Sequence, residues 1–411
     1  MPSLNFLCYF LFFKKKKVKD KTGTGWKLVK VGKRRRKTPS SFILHPVLFF
    51  NTISLTQFRN YPLRRFRFTE RIVGICGSNG SGKTNLLDAI YYTCFTKSYF
   101  TRPDGQNVTH GMQGLRIEAG LQSNGEDYSI ICIIRENNRK ELQLNGIAYS
   151  RFSEHIGKFP CVMIAPDDVA LITEGSEERR KFIDTILSQL YPNYLRQLID
   201  YTKILQQRNS LLKAAAERNY LDDTLLDILD EQLAEKAQFI YNHRNTFLQS
   251  FIPVVLQQYL LIAGKDDAIK LVYESQLLQT NIKDLLAQNR QRDMYLQRTG
   301  VGIHKDDLTI QMQGEPFKTL ASQGQRKSLL FALKLAEFIT LKQHKGFTPA
   351  LLLDDVFEKL DEQRMHNLLQ RVCVEEQGQV FITDTHRERL TAALDELGEK
   401  YEMVELGGTV D

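Results

Sequence analysis

The run Gly77-Ser-Asn-Gly-Ser-Gly-Lys-Thr84 constrains this chain more than any other segment. It satisfies the pattern GxxxxGK[ST] and follows directly on Arg71–Cys76, a short apolar stretch that reads as a buried strand. Asn85–Phe95, just beyond, reads as a helix. A strand, a glycine-rich turn and a helix in that order make a phosphate cradle. The glycines let backbone N–H groups close around an anion, and the helix N-terminus adds partial positive charge. The expected cradle is Gly77, Ser78, Asn79, Gly80, Ser81, Gly82, Lys83, Thr84 and Asn85. Lys83 would reach the β- and γ-phosphates of a nucleotide, and the Thr84 hydroxyl would ligate Mg²⁺. ATP and Mg²⁺ are therefore the expected cofactors.

Such a loop needs a carboxylate for the metal, and Ala350-Leu-Leu-Leu-Asp-Asp355 supplies an apolar strand ending in two. Asp354 is expected to hold Mg²⁺ through water, and Asp355 to orient or deprotonate an attacking water. A helix cap would explain the pair equally well on its own, and the P-loop tips the reading to the metal. Ser322, Gln323, Gly324 and Gln325 open a long helix, from about Gln325 to His344, and offer a second phosphate-binding surface. An ordinary N-cap by Ser322 accounts for that local pattern equally well. The order of the parts decides: P-loop, SQGQ, the paired aspartates, Asp361, then His386 after a final strand. That order resembles an ABC-type ATPase. The resemblance implies that SQGQ is the signature which covers the γ-phosphate of a second subunit. It also implies that Asp361 is the D-loop acid and His386 the switch histidine.

Lys83 and Asp354 stand 271 residues apart, a separation that transporter ATPases do not have. Between them, from about Glu177 to Arg298, the pattern is helical. Leu226, Leu233, Ile240, Phe247 and Val254 recur every seventh residue, as the packed seam of a helical pair does. Two arms of ~60 residues would reach at most ~90 Å at ~1.5 Å per residue. The expected fold is thus α/β: an ABC-type P-loop ATPase head, a mixed sheet with helices, interrupted by a short helical arm or lid insertion. The expected divisions are 1–47, a basic tail; 48–175, the head with the P-loop; 176–299, the insertion; and 300–411, the head with signature and acidic strand.

The formal net charge is +8, which invites a nucleic-acid reading, but its location weakens the argument. Residues 1–47 carry +12 and residues 48–411 carry −4. The body therefore offers no excess positive charge of its own, and the tail reads as a solvated basic segment or nucleic-acid arm. No run of 18 apolar residues suggests a membrane span. The six cysteines are scattered without a CxxC pair, so metal or disulfide spacing is absent and a cytoplasmic setting is expected.

Several further segments match one family. They are Ile53-Ser-Leu-Thr-Gln-Phe-Arg-Asn-Tyr61, Asn85-Leu-Leu-Asp-Ala-Ile90, Lys97-Ser-Tyr-Phe-Thr-Arg102, Ala165-Pro-Asp-Asp168, Arg179-Arg-Lys-Phe-Ile-Asp184, Gln206-Gln-Arg-Asn-Ser-Leu-Leu-Lys213 and Gly302-Ile-His-Lys-Asp-Asp-Leu308. With the P-loop, SQGQ and the paired aspartates, the chain resembles the RecF family of bacterial DNA replication and repair ATPases over residues 51–390. The resemblance implies an ATP-dependent homodimer that binds gapped duplex DNA and single-stranded/double-stranded junctions. With RecO and RecR as partners and no membrane involved, it would promote RecA loading. It makes Arg59 and Asn60 candidate nucleotide contacts, with strand-turn packing as their alternative. It also places the expected start near Val47 or Leu48, so that the tail would be an artefact of the assigned start. Arg64, Arg65, Arg67, Arg135, Arg139, Lys140, Arg179, Arg180 and Lys181 are candidate DNA contacts. The alternative is an SMC-like head of another DNA-processing or defence complex.

Overall fold

The computed structural model describes residues 47–101, 103–358 and 362–407, with the short strands Lys17–Lys19 (β1) and Trp26–Leu28 (β2). These two pair antiparallel in a unit of their own, Lys17 opposite Leu28. Apart from these strands and Val47, the expected basic tail lies outside the described residues.

In the second unit, hydrophobic alternation builds an antiparallel sheet. Phe49–Phe58 (β3), Tyr61–Arg67 (β4), Leu115–Ser123 (β6), Glu126–Ile134 (β7), Lys140–Leu144 (β8) and Ile147–Ala148 (β9) run in the order β4-β3-β6-β7-β8-β9. Ile53, Leu55, Ile117, Ala119, Ile130 and Cys132 all turn to the buried face, while their neighbours along each strand face outward. The two Asn-Gly turns close hairpins with left-handed backbone at both residues: Asn124 and Gly125 have φ of 53° and 81°, Asn145 and Gly146 of 51° and 79°. Those torsions match the right-handed twist of the flanking strands.

A second sheet is wholly parallel. Ile72–Gly77 (β5), Cys161–Ile164 (β10), Ala350–Leu353 (β14), Val380–Asp384 (β15) and Tyr401–Leu406 (β16) run in the order β10-β14-β15-β5-β16. Strands β10, β14 and β15 are buried at every residue, because both faces are covered. Leu352 and Phe381 face the antiparallel sheet across the helix Lys83–Phe95 (α1); Leu351, Leu353 and Ile382 face the other helices. Helix α1 is buried nearly all round, as a helix sandwiched between two sheets must be. Between the sheets, the Phe50 N–H donates to Gln379 Oε1 at 2.6 Å and Gln379 Nε2 donates to the Phe50 carbonyl at 3.1 Å. Gln379 is fully buried, and its side-chain amide satisfies both backbone groups of Phe50.

The helices on the far face are Ala170–Thr173 (α2), Ser176–Leu190 (α3), Pro192–Arg218 (α4), Asp223–Ala263 (α5), Ile282–Leu296 (α6), Phe317–Leu320 (α7), Gln323–Lys345 (α8), Glu362–Leu369 (α9) and Arg387–Asp395 (α10). Helices α4 and α5, of 27 and 41 residues, span ~40 Å and ~60 Å. The seven-residue seam is buried at Leu226, Leu233, Ile240 and Phe247, but Val255 replaces Val254 at its end. A straight helix drifts about 20° per heptad, enough over four heptads to bring the next residue inward. By length and apolar composition α5 could cross a membrane; here it packs against α4 and α8.

The insertion is not helical throughout. Ile269–Glu274 (β11) forms a small antiparallel sheet with Asp307–Met312 (β12) and Glu315–Pro316 (β13). Six residues of alternation were too short to stand out from the helical runs on either side, and β11 becomes a strand because β12 pairs with it.

Buried arginines bind this insertion to the head. Arg244 on α5, 2% exposed, bonds Asp184 of α3 at 3.0 Å, the Ile303 carbonyl at 2.7 Å and Asp306 at 2.9 Å. Arg179 pairs with Asp307 at 2.7 Å, and within the insertion fully buried Arg208 pairs with Asp293 at 2.7 Å. Removing one partner leaves buried charge uncompensated. Arg244→Met is therefore expected to lower stability by about 3–5 kcal/mol, read as a lowered urea midpoint with an unchanged slope.

Candidate functional site

The phosphate loop lies at the carboxyl end of β5, flanked by β15 and β16. Asp384 is in register with Cys76, and Leu353 with Ile382, so Gly77, Asp354 and Thr383 gather at one edge of the parallel sheet. Ligand sites of such sheets form at that edge. Gly82 caps α1 at φ 106°, and a Cβ there would come within 2.6 Å of both the Tyr61 hydroxyl and the Asn60 amide. Only glycine fits that close approach. Those two side chains brace the loop from outside: Tyr61 Oη donates to the Gly82 carbonyl at 3.0 Å and Asn60 Nδ2 to the Ser81 carbonyl at 3.2 Å.

Lys83 is 5% exposed, and its ammonium donates to the Gly77 and Ser78 carbonyls at 2.8 and 3.2 Å. The Ser81 hydroxyl is buried with no hydrogen-bond partner. A buried, orphaned hydroxyl inside a ring of backbone amides fits a phosphate oxygen as its missing partner. Thr84 Oγ1 donates to Asp354 at 2.9 Å, and Thr383 Oγ1 donates to the same carboxylate at 2.9 Å. The Asp355 N–H in turn donates to Thr383 Oγ1 at 2.9 Å. A hydroxyl and a carboxylate are hard oxygen donors, and two of them suit Mg²⁺, which keeps several waters and takes the rest of its shell from phosphates.

Burial pushes the Asp354 carboxyl up to about 6, with the neighbouring Asp355 charge adding to the rise against the hydrogen bonds from Thr383 and Thr84. Asp355 itself is left-handed, φ 45°, a conformation aspartate tolerates better than most residues. The turn that follows the strand therefore starts within the acidic pair.

Other sequence candidates fall differently. Arg59 is a packing residue. Its guanidinium pairs with fully buried Asp88 at 2.6 Å and donates to Asn85, Ser98, Thr101 and Asn107 at 2.8 to 3.1 Å. Those acceptors engage every side of the fork, so the geometry supports its strand-turn alternative rather than a nucleotide contact. Asn60 does touch the loop and accepts from Asn85 Nδ2 at 2.7 Å. Ser322 caps α8 in a reciprocal box with Gln325 (3.2 and 2.9 Å), while Ser322 and Gln323 stay exposed. The Arg364 guanidinium lies against Gly324, where a Cβ would oblige it to shift. No hydrogen bond among the described residues joins 322–325 to 77–85. His386 is exposed at the N-terminus of α10, with its backbone N–H on Asp384 at 2.9 Å. Asp361 lies outside the described residues. Sequence reasoning missed Tyr61 and Thr383; the one available signal was a threonine buried at the end of an apolar strand.

The residues 49–405 match the family described as RecF/RecN/SMC N terminal domain. The chain is 43% identical over 359 residues to the DNA replication and repair protein RecF of Flavobacterium johnsoniae, covering 87% of this chain and 100% of that one. The chain belongs to the RecF family. The RecF of Parabacteroides distasonis is 38% identical over 86% of this chain and 96% of its own. A solved structure described as the recombination mediator protein RecF-ATP in the RecFOR pathway superposes with a TM-score of 0.78. It is 28% identical and covers 84% of this chain and 94% of that one. The fold is that of an ABC-type ATPase head, and RecF proteins serve DNA replication and repair.

The raised Asp354 pKa carries a stability cost for this RecF-family head. A carboxyl whose pKa rises on folding stabilises below its unfolded value, near 3.8, and that contribution is lost as pH climbs to about 6. Asp354→Asn should therefore be more stable than wild type at pH 7.5 without ligand, by up to about 3 kcal/mol, and unfold at a higher temperature. The difference should shrink towards pH 4, as thermal melts across that range would read.

Proposed function

We propose that this chain is an ATP-switched clamp of recombinational DNA repair. The observation that carries the reading is the meeting of Thr84 with Asp354, 270 residues apart in sequence, beside the buried Lys83. Mg²⁺, when bound, would neutralise charge on the β- and γ-phosphates. Lys83 would exchange the Gly77 and Ser78 carbonyls for phosphate oxygens, and the loop amides with Ser81 would hold the remainder. Thr84 and Asp354 would hold the metal, the latter through water. Asp355 would orient the attacking water, steadied by Thr383, with His386 following the same strand edge.

Two heads would face each other with ATP between them. Ser322, Gln323, Gly324 and Gln325 of one head would meet the γ-phosphate held by the other, and Asp361 would serve as the D-loop acid. The exposed start of α8 is compatible with that role, since its cap leaves the outer face of Ser322 open. The dimer would bind gapped duplex DNA and junctions, act as a weak DNA-dependent ATPase in the cytoplasm, and with RecO and RecR promote RecA loading. Hydrolysis would separate the heads and release DNA. The ATP-bound relative from the RecFOR pathway supports this reading.

Lys83→Arg should keep weak ATP binding and lose hydrolysis by at least ~100-fold; full turnover in a phosphate-release assay would count against the loop assignment. Ser322→Arg should leave ATP binding by the single head intact and abolish the ATP-bound dimer. Light scattering that found a dimer of normal mass would rule out the sandwich.

A further inference from the structure

The proposed clamp needs a surface for DNA, and the nine basic candidates of the sequence are not equivalent once folded. Six of them are already engaged. Arg135 is bidentate to Glu141 at 2.8 and 3.0 Å, with Arg139 beside the same acid, and Lys140 is tied to Asp104 at 2.6 Å. Arg179 pairs with Asp307, Arg180 donates to Ser176 and the Asp306 carbonyl, and Lys181 pairs with Glu177 and Glu178. Three of these, Lys140, Arg179 and Arg180, hold loops or the root of the insertion in place. Their charges are thus already partnered within the fold. Arg64 lies over the Phe66 ring. Arg65 and Arg67 are exposed and have no hydrogen bond or ion pair to any described residue.

These two arginines occupy a distinctive place. They are alternate residues of edge strand β4, so both project to the outer face of the six-stranded sheet, ~6.8 Å apart. Opposite them on β3 stand Ser54 and Thr52, and in register on β6 stand Glu118 and Gly120. Glu118 is neutralised by Arg116. Gly120 leaves the middle of the row low, with Thr52 Oγ1 only 2.8 Å from where a Cβ would be. The row is thus a shallow trough of hydroxyls bordered by two uncompensated guanidinium groups. Hydroxyls and arginines are the groups that contact nucleic-acid backbone. Any charge would suffice to protect a sheet edge from mispairing; the hydroxyl trough goes beyond that need. The same strand begins on the phosphate loop, through Asn60 to Ser81 and Tyr61 to Gly82.

We propose that the outer face of this sheet at β4 and β3 is a phosphodiester-binding strip for duplex DNA, with Arg65 and Arg67 each neutralising one phosphate. The strip rests on the DNA-clamp reading above and names its contact surface. Because it is anchored to the phosphate loop, its position answers to nucleotide binding. It contacts backbone and not base edges, so it carries no sequence preference.

The test is duplex binding by fluorescence anisotropy with Mg-ATP, over a series of salt concentrations, for the full chain and for the Arg65→Gln/Arg67→Gln variant. The variant should bind every duplex sequence more weakly, with the slope of log K against log salt shallower by about 1.8, or ~0.9 for each lost phosphate contact. Arg65→Lys/Arg67→Lys, which keeps the charges, should keep the slope. ATP turnover without DNA should be unchanged in both. A glutamine variant with the wild-type slope overturns the strip, whether or not its affinity falls, and leaves the clamp reading standing. Wild-type protein that binds no DNA with ATP overturns both. Retained DNA binding with lost capture of an acidic protein partner would assign the surface to protein instead and overturn the strip.

Discussion

Everything at the site depends on strand β5 being hydrogen-bonded on both sides to strands that come about three hundred residues later. Val380–Asp384 and Tyr401–Leu406 flank Ile72–Gly77 in parallel register. Without them the phosphate loop has no floor, and Asp354 and Thr383 have no reason to lie beside Thr84. Parallel pairing over such a separation closes a very long loop before any contact rewards it, which makes this sheet a late and slow element to form. The hydrogen bond from Thr84 to Asp354 is the side-chain counterpart of that closure. It joins the first strand–loop–helix unit to the acidic strand, and it holds the carboxylate in a buried setting that disfavours its charge. A head assembled this way concentrates its strain where a cation and a phosphate would relieve it.

The helical insertion leaves the head between β10 and β14 and is tied back by the apolar packing of α5 on α8 and by paired charges at its root. Arg244 reaches Asp184 and Asp306 from opposite sides of the insertion's root, and Tyr194 and Tyr273 add hydroxyls to the same network. Buried networks of this kind gain little net stability over an apolar core of the same volume, but they admit one arrangement of the groups. The family-like segments Arg179–Asp184 and Gly302–Leu308 are largely explained by that root: Arg179, Asp184, Asp306 and Asp307 are its members, and His304 is packed on Tyr201 with burial holding its ring neutral, near 4. Residues that look catalytic in a sequence can thus be the joint on which a site is mounted.

Legibility differed by residue for physical reasons. Strands β5, β14 and β15 could be read because full burial demands unbroken apolar runs, and the hairpin turns because left-handed backbone demands Asn-Gly. Strand β11 could not be, since six residues of alternation become a strand only when β12 offers a partner. Arg59 and Lys140 look like solvent-facing cations in one dimension; only folding brings Asp88 and Asp104 to them. Arg65 and Arg67 look identical to those two in sequence and differ in that the one acid in their row, Glu118, is paired with Arg116, and no other described acid pairs with them.

By itself the sequence determined the chemical elements: a glycine-rich loop of phosphate-cradle pattern, a strand ending in paired carboxylates, a serine–glycine helix start and an insertion of limited reach. Those follow from local sterics, local hydrogen bonding and periodicity, which act over a few residues. The tertiary structure alone decided which charges are spent inside the fold and which face out, because that depends on partners brought from distant segments. It decided that Thr383 links Asp354 to Asp355, that Tyr61 and Asn60 brace the loop, and that two arginines on the sheet's outer face at β4 meet no acid among the described residues. Proximity across the chain is a property of the closed sheet, and no stretch of residues carries it alone.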